Sequence, residues 1–496
     1  MTEVGTALKI SQCTFTANEA AAGGAIFHNG DELKVSKSKF SNNVAKSGAA
    51  IAVESSPSTE LSECDFTQNR ATGSNTGAIE LFQSELTMSN SVSGSGNSPC
   101  DGVYDRSSSQ CRKWPSYVNP AFELGQITVN SLGLRLSTGL RVKILARAGE
   151  PVPFTSPERK RTSSLLKFHT NPDAAAVFSL KDGGWIYISN AENESRKGGV
   201  FGVEFDSNGS VRDYVERLSG TTRNCSGGKT PWNTWVSCEE YGQGSCWQVD
   251  PTGVRNPAVT KLVEGGGSFE AMAYDIRDLQ SPKFFVTEDQ ERGAIRRFRP
   301  ICNAVGMSWN LIQVNGEVDY LQFTGDNTFR WTPSLEEGRN SAEQYYHNVE
   351  GISFHNGILS FVSKAQKEIF NLKLDAGTYT SDTTQRGLLT GGGNFEAQPD
   401  QLIRVGEMLY FTEDGGSSPG IFASDGFEYF TVFLANDKKF ANDETTGLAF
   451  SPDGTKMYVC IQEIGYFFEI TRDDGLAFPG HKVSKLKFSS AADSGQ

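Results

Sequence analysis

Short runs of apolar residues, many alternating with polar ones, recur along this chain, as in Val200-Phe201-Gly202-Val203-Glu204-Phe205 and Met408-Leu409-Tyr410-Phe411-Thr412. They stop at Gly, Asp and Asn, and the spacing of an amphipathic helix is scarce. The pattern predicts an all-β protein. The runs repeat at two different periods, which predicts two architectures in one chain.

The shorter period occupies residues 1–95. Cys13-Thr14-Phe15-Thr16-Ala17-Asn18 returns around Phe40 and Asn43, and again around Phe66 and Asn69, with Phe steps of 25 and 26 residues. Gly23-Gly24-Ala25-Ile26 returns as Gly48-Ala49-Ala50-Ile51 and Gly77-Ala78-Ile79. Such a period suits a short right-handed parallel β-helix with Phe and Ile stacked inside. Asn18, Asn43 and Asn69 are expected to form a turn ladder, because Asn tolerates the left-handed region. The motifs resemble the repeats of polymorphic outer-membrane proteins, an architecture that implies a surface or matrix partner. Residues 96–125, rich in Ser with Pro and Gly, read as a linker. Within it Cys100 and Cys111 flank a polar loop and could pair; Cys238 and Cys246 bracket another.

The longer period predicts a six-bladed β-propeller over residues 126–490. Aligned at Ser189, Ser237, Thr287, Ser363, Thr412 and Ile461, one strand type recurs with steps of 48, 50, 76, 49 and 49 residues. Each copy is followed by another strand, and units near 50 residues built of antiparallel strands are propeller blades. The long step holds an insertion at roughly 299–345.

Candidate chemistry lies upstream of the repeated strand. Cys225, Glu270, Glu350, Asp400 and Glu444 precede it by 12, 17, 13, 12 and 17 residues. These positions fall where each blade's innermost strand begins, so a radial fold gathers them at one mouth of the channel. Carboxylates packed together repel one another, and a cation relieves the repulsion. Carboxylates suit calcium or ferric iron; a thiolate suits iron or zinc.

The chain has 496 residues, a net charge of −13, nine cysteines and 52 glycines. That charge argues against a nucleic-acid partner. No apolar run reaches the length of a membrane span. The start, Met1-Thr2-Glu3-Val4-Gly5, shows no signal peptide but opens inside a repeat, as a truncated N-terminus would. The cysteines, with sequons at Asn193, Asn208 and Asn224, favour an extracellular, cell-surface or periplasmic location.

Three segments carry a resemblance: Gly184-Trp185 with Ser189-Asn190; Asn224 to Gly228 with Thr230 to Trp235 and Cys238-Glu239-Glu240; and Ser451 to Gly454 leading to Gln462. Over most of 180–475 they resemble the PhoX-type alkaline phosphatases. The resemblance implies a six-bladed propeller with an iron and calcium cluster that hydrolyses phosphate esters by metal-assisted phosphoryl transfer. It implies that Cys225, Glu270 and Glu350 hold iron, and that Glu240, Asp289, Asp400 and Glu444 hold calcium or bridge to it. The family places an Arg two residues before the Glu of its Glu-Gly-Ile segment; here that residue is Asn348, with His347 beside it. Arg217 and Lys229 are candidate replacements for the missing charge. The departure keeps two other readings open, a different propeller hydrolase such as a lactonase, and a non-catalytic, metal-stabilised adhesion protein.

Overall fold

Phe15, Phe40 and Phe66 stack face to face, with centroids 4.9 and 4.7 Å apart and planes within 7°. In this computed structural model the described residues are 7–73, 76–88, 92–113, 128–137, 139–301, 307–325, 327–385, 395–405, 408–424, 429–478 and 489–490. The chain divides into two compact units, Met1–Ala121 and Phe122–Gln496.

The first unit is a parallel β-solenoid. Ala7–Ser11, Glu32–Ser36, Ser58–Ser62 and Leu86–Met88 pair in parallel along one face, and Ile26–His28, Ile51–Glu54, Gly77–Phe82 and Cys100–Asp105 along another. Inward side chains stack on their own kind, and burying a Phe contributes about 1.5–3 kcal/mol. The asparagine ladder forms, but by side chains. Asn43 Oδ1 accepts from the backbone and side-chain nitrogens of Asn18, Asn69 Oδ1 from those of Asn43, and Asn97 Oδ1 from those of Asn69, at 2.8–3.1 Å. The left-handed residues are the ones before them, Ala17, Asn42, Gln68 and Gly96, so the expected reason for Asn is corrected.

The stack also runs past residue 95, so 96–113 is not a linker. Ser93–Ser95 pairs with Asp65–Thr67, placing Gly94 opposite Phe66. Cys100–Asp105 extends the sheet, and Gln110–Lys113 folds back on it antiparallel, with a Cys100–Cys111 disulfide. Loss of the Phe hid this fourth coil in the sequence; Asn97 keeps its place in the ladder.

In the second unit, six antiparallel sheets stand as blades. Their innermost strands are Pro172–Ser179, Asn224–Lys229, Gly267–Asp275, Val349–His355, Gln398–Val405 and Thr445–Phe450. Each packs against the next, and the last against the first. The sixth blade takes its outermost strand, Leu140–Arg147, from the start of the unit and pairs it with Tyr466–Arg472 near the end, which closes the ring. The expected insertion contains the α-helix Leu335–Ser341, capped by the Ser334 side chain, and a π-helical turn, Ala342–Tyr346.

Glycines let the innermost strands crowd together. A Cβ on Gly228 would lie 2.1 Å from the carbonyl oxygen of Met272, and one on Gly351 2.5 Å from the backbone nitrogen of Leu402. This is why Gly follows closely on Cys225 and directly on Glu350. A second disulfide, Cys238–Cys246, joins neighbouring strands of the second blade.

Candidate metal centre

One residue from each blade enters a ring at the channel mouth: Asp173, Cys225, Glu270, Glu350, Asp400 and Glu444. With Glu192 and Glu240 they form overlapping triads whose ligand atoms lie within 4.8 Å of one another. The triads are Asp173-Glu192-Cys225, Cys225-Glu240-Glu270, Glu270-Glu350-Asp400 and Asp173-Asp400-Glu444, so each shares a member with the next.

A local irregularity aims these side chains. Every innermost strand slips register against its partner at the same place, between Pro172 and Ala175, Asn224 and Gly227, Phe269 and Met272, Val349 and Ile352, Pro399 and Leu402, and Thr446 and Ala449. Such bulges re-aim a side chain and leave backbone groups unpaired. The recurring hydroxyls answer those groups. Ser189 Oγ donates to Asp173 O, Thr287 Oγ1 accepts from Ala271 N and donates to Glu350 O, and Thr412 Oγ1 accepts from Gln401 N. Thr412 Oγ1 also donates to Asp400 Oδ2 at 3.1 Å.

The paired acids at the ends of the second strands divide by strand alternation. Glu239, Glu288 and Glu413 turn into their blades. Glu413 accepts from the backbone of Glu396, Ala397 and Gly420; Glu239 accepts from Thr222 and Ser245; and Glu288 faces Arg296. Glu240, Asp289 and Asp414 face the mouth, as do Glu192, Lys364 and Gln462 in the other blades. Arg223 spans Glu192, at 3.0 Å, and Glu240. Lys364 Nζ lies 2.9 Å from Glu350 Oε1 and 3.1 Å from Asp414 Oδ2.

The ring is buried and short of partners. Asp173 and Glu270 are each 1% exposed, and Glu350 is 2% exposed. Both Glu270 oxygens and Asp173 Oδ2 have no hydrogen-bond partner among the described residues. Burial, then Glu350 and Asp400, pushes the Glu270 carboxyl well up; burial, then Asp173 and Glu270, does the same to the Cys225 thiol. Burial followed by Glu192 pushes Glu240 up to about 8. An orphaned buried carboxylate is costly, and a bound cation removes the cost. Many oxygen donors beside one sulfur fit hard cations together with a softer one. The residues therefore suit a metal centre. Behind the ring the channel opens into a cavity of about 570 Å³ lined by residues such as Ala175, Ala273, Ile352 and Leu448.

The residues singled out in the sequence are not all here. Cys225, Glu240, Glu270, Glu350, Asp400 and Glu444 converge. Asp289 stands aside: Asn348 Nδ2 donates to its Oδ1 at 2.7 Å, and Lys364 Nζ is 3.8 Å from its Oδ2. Arg217 does not reach the site, since it lies on an outermost strand, binding Glu204 and the carbonyl of Pro251. Lys229 lies beyond the ring, donating to Val177 O with its ammonium over the Phe178 ring. His347 lends its backbone oxygen to Ser363 Oγ. Asn348, at φ 53°, is a left-handed residue two places before its ligand, as are Asn171, Arg223 and Asn442 in three other blades. Asp173, Glu192, Arg223 and Lys364 were missed. Asp173 had a signal, because Pro172-Asp173 repeats Pro399-Asp400 and lies 16 residues before Ser189.

Residues 205–263, which include Cys225 and Glu240, match the family model of the alkaline phosphatase PhoX. The fold is similar to that of Pseudomonas fluorescens PhoX, solved in complex with vanadate, a transition state analogue, at 15% identity and a TM-score of 0.55, over 72% of this chain and 100% of that one. A Bacteroides thetaiotaomicron protein of unknown function (11% identity, TM-score 0.41, 67% and 76% covered) and a Xanthomonas campestris gluconolactonase (13%, 0.35, 66% and 97%) are too distant to inform its chemistry. No curated protein matches the chain. The propeller is therefore of the PhoX type, and the chain carries the fold and the second-blade sequence of a phosphate ester hydrolase.

Proposed function

We propose that the channel mouth is a metal-dependent phosphoesterase site, with Cys225, Glu270 and Glu350 holding iron and Glu240, Asp400 and Glu444 holding calcium. Asp173 and Glu192 join the calcium set, and Asp289, already engaged by Asn348 and Lys364, does not. The observation that carries the reading is the closed ring of one thiol and five carboxylates, one from each blade, with buried oxygens that no protein group satisfies. Bound there, the ions supply the positive charge that a loose, anionic phosphoryl-transfer transition state demands.

The chain's own residues prepare the site. The bulges point the ligands inward, and Gln401, Thr412 and Thr446 hold individual carboxylate oxygens in place. Cys225 must lose its proton to ligate, and burial opposes this until a cation is present. Arg223, half-buried at the mouth, is the guanidinium available to an incoming phosphate. It occupies in the second blade the place that Asn348 occupies in the fourth, two residues before the ligand. Vanadate on the Pseudomonas relative motivates the same assignment of an anionic, phosphate-like substrate here.

The two disulfides suit an oxidising compartment, so we place the protein outside the cell or in a periplasm. Among the described residues no helix is long and apolar enough to cross a membrane. The test is metal analysis of the purified protein with p-nitrophenyl phosphate turnover before and after calcium chelation. Iron and calcium together with chelator-sensitive turnover are expected; absence of both iron and turnover overturns the reading.

A further inference from the structure

At the mouth, the second strands present Glu192, Glu240, Asp289, Asp414 and Gln462 in five blades, and Lys364 in the fourth. The internal repeat thus carries one cation where its sisters carry acids or an amide. Lys364 Nζ lies 2.9 Å from Glu350 Oε1, 3.1 Å from Asp414 Oδ2 and 3.8 Å from Asp289 Oδ2. These carboxylates come from the fourth, fifth and third blades. The side chain is only 26% exposed, so the ammonium is held among them and does not lie loose on the surface.

Three carboxylates from three elements around one point are the surroundings that a hard divalent ion takes. An ammonium is a compact point charge with three donors, able to meet three such oxygens at once. Across the ring, Asp173 Oδ2 and both oxygens of Glu270 have no such partner among the described residues. The ring therefore has one arc neutralised by the protein and another left with buried, uncompensated charge.

We infer that Lys364 is a tethered cation standing in the place of one metal ion, so that Asp289, Glu350 and Asp414 enclose a position closed to exchangeable calcium. Metal loading is confined to the rest of the ring, where Glu350 contributes through the oxygen that Lys364 leaves free. The inference rests on the reading of the ring as a cation site and is independent of phosphate ester hydrolysis.

The test counts ions. The full chain, wild type and Lys364→Met, is dialysed against calcium, and bound metal per chain is measured by mass spectrometry. One additional calcium per chain is expected in Lys364→Met, with Lys364→Arg remaining at the wild-type count. Lys364→Gln, polar and neutral, gives the same gain and serves if the methionine variant does not fold. An unchanged count in a folded neutral variant overturns the inference, as does failure of both neutral variants to fold in millimolar calcium. An active wild type with no gain in the variants removes only this inference; a gain without phosphatase activity removes only the phosphoesterase reading.

Discussion

Gln401 Nε2 donates a 2.7 Å hydrogen bond to Asp173 Oδ1, tying the innermost strand of the fifth blade to that of the first. Thr446 of the sixth blade donates to the same oxygen at 2.6 Å. One oxygen of Asp173 is thus fixed by two neighbouring blades, while Oδ2 is left for a ligand.

Removing that support should weaken the metal site and spare the fold. Gln401→Leu is expected to lower calcium affinity about 10-fold, as loss of a group that orients a ligand does. Competition with a fluorescent chelator measures it, and circular dichroism checks the fold. Unchanged affinity would mean that Asp173 is not oriented for a cation.

Glu270 sets stability against function. It is buried, both its oxygens are unpartnered, and its charge serves only when a cation is bound. Glu270→Gln is expected to stabilise the chelated protein by about 1–3 kcal/mol, since an uncompensated buried group is removed. Turnover should fall roughly 100-fold or more. Melting in chelator and p-nitrophenyl phosphate assays report the two effects, and a chelated variant that melts lower than wild type contradicts the assignment.

Metal removal should make the protein sensitive to alkali. Burial and Glu192 raise Glu240 to about 8, above its unfolded value of 4.5. A raised carboxyl lends stability below about 4.5 that is lost as pH rises through about 8. Burial pushes Glu350 and Glu444 in the same direction. The chelated protein should therefore melt progressively lower from pH 5 to pH 9, and calcium should restore it most at the alkaline end. A flat profile in chelator would refute the crowding of unmatched carboxylates.

The acid limb has a different source. Burial holds the imidazole of His169 down to about 3, below its unfolded 6.5, between Tyr214 Oη at 2.9 Å and Ser189 Oγ at 3.2 Å. A depressed base lends stability above 6.5 that is lost as pH falls toward 3. His169→Gln should shift the acid-unfolding midpoint down and shallow its slope. Acid titration followed by tryptophan fluorescence checks this, and an unaltered midpoint would assign acid unfolding to other groups.

In the solenoid, Asn43 Nδ2 donates to Asn69 Oδ1 and to the carbonyl of Phe15 at 2.8 and 3.0 Å, with the side chain buried. Asn43→Ala leaves those acceptors unmet and should cost about 1–3 kcal/mol. Urea unfolding followed by circular dichroism measures the cost; a loss below the error of the midpoint would mean that water replaces the ladder.

Where a signal was spaced along the chain, it could be read. Ser189, Ser237, Thr287, Ser363 and Thr412 marked the blades because each carries a hydroxyl at the same structural point, and Cys225, Glu270, Glu350, Asp400 and Glu444 lay at matched distances before that strand. Where the match was broken, reading failed. Gly94 in place of a Phe concealed the fourth coil of the solenoid, although Asn97 persisted. Asp173 escaped although it repeats the Pro-Asp of the fifth blade. Arg217 looked like a nearby charge in sequence, yet an outermost strand carries it away from the mouth.

By itself the sequence determined the two repeating architectures and the residue types of the ring, because burial of alternating side chains imposes a period that a linear text displays. Only the tertiary structure decided which acid of each pair faces the mouth, that Asp173 and Glu192 complete the triads, and that Arg223 and Lys364 supply their own positive charge. The physical reason is that closure of six blades brings together groups hundreds of residues apart. Their charges, and the bulges that aim them, depend on neighbours across the ring and not along the chain. The thiol of Cys225, conspicuous in its Gly-rich segment, acquires a meaning only from the five carboxylates that surround the same opening.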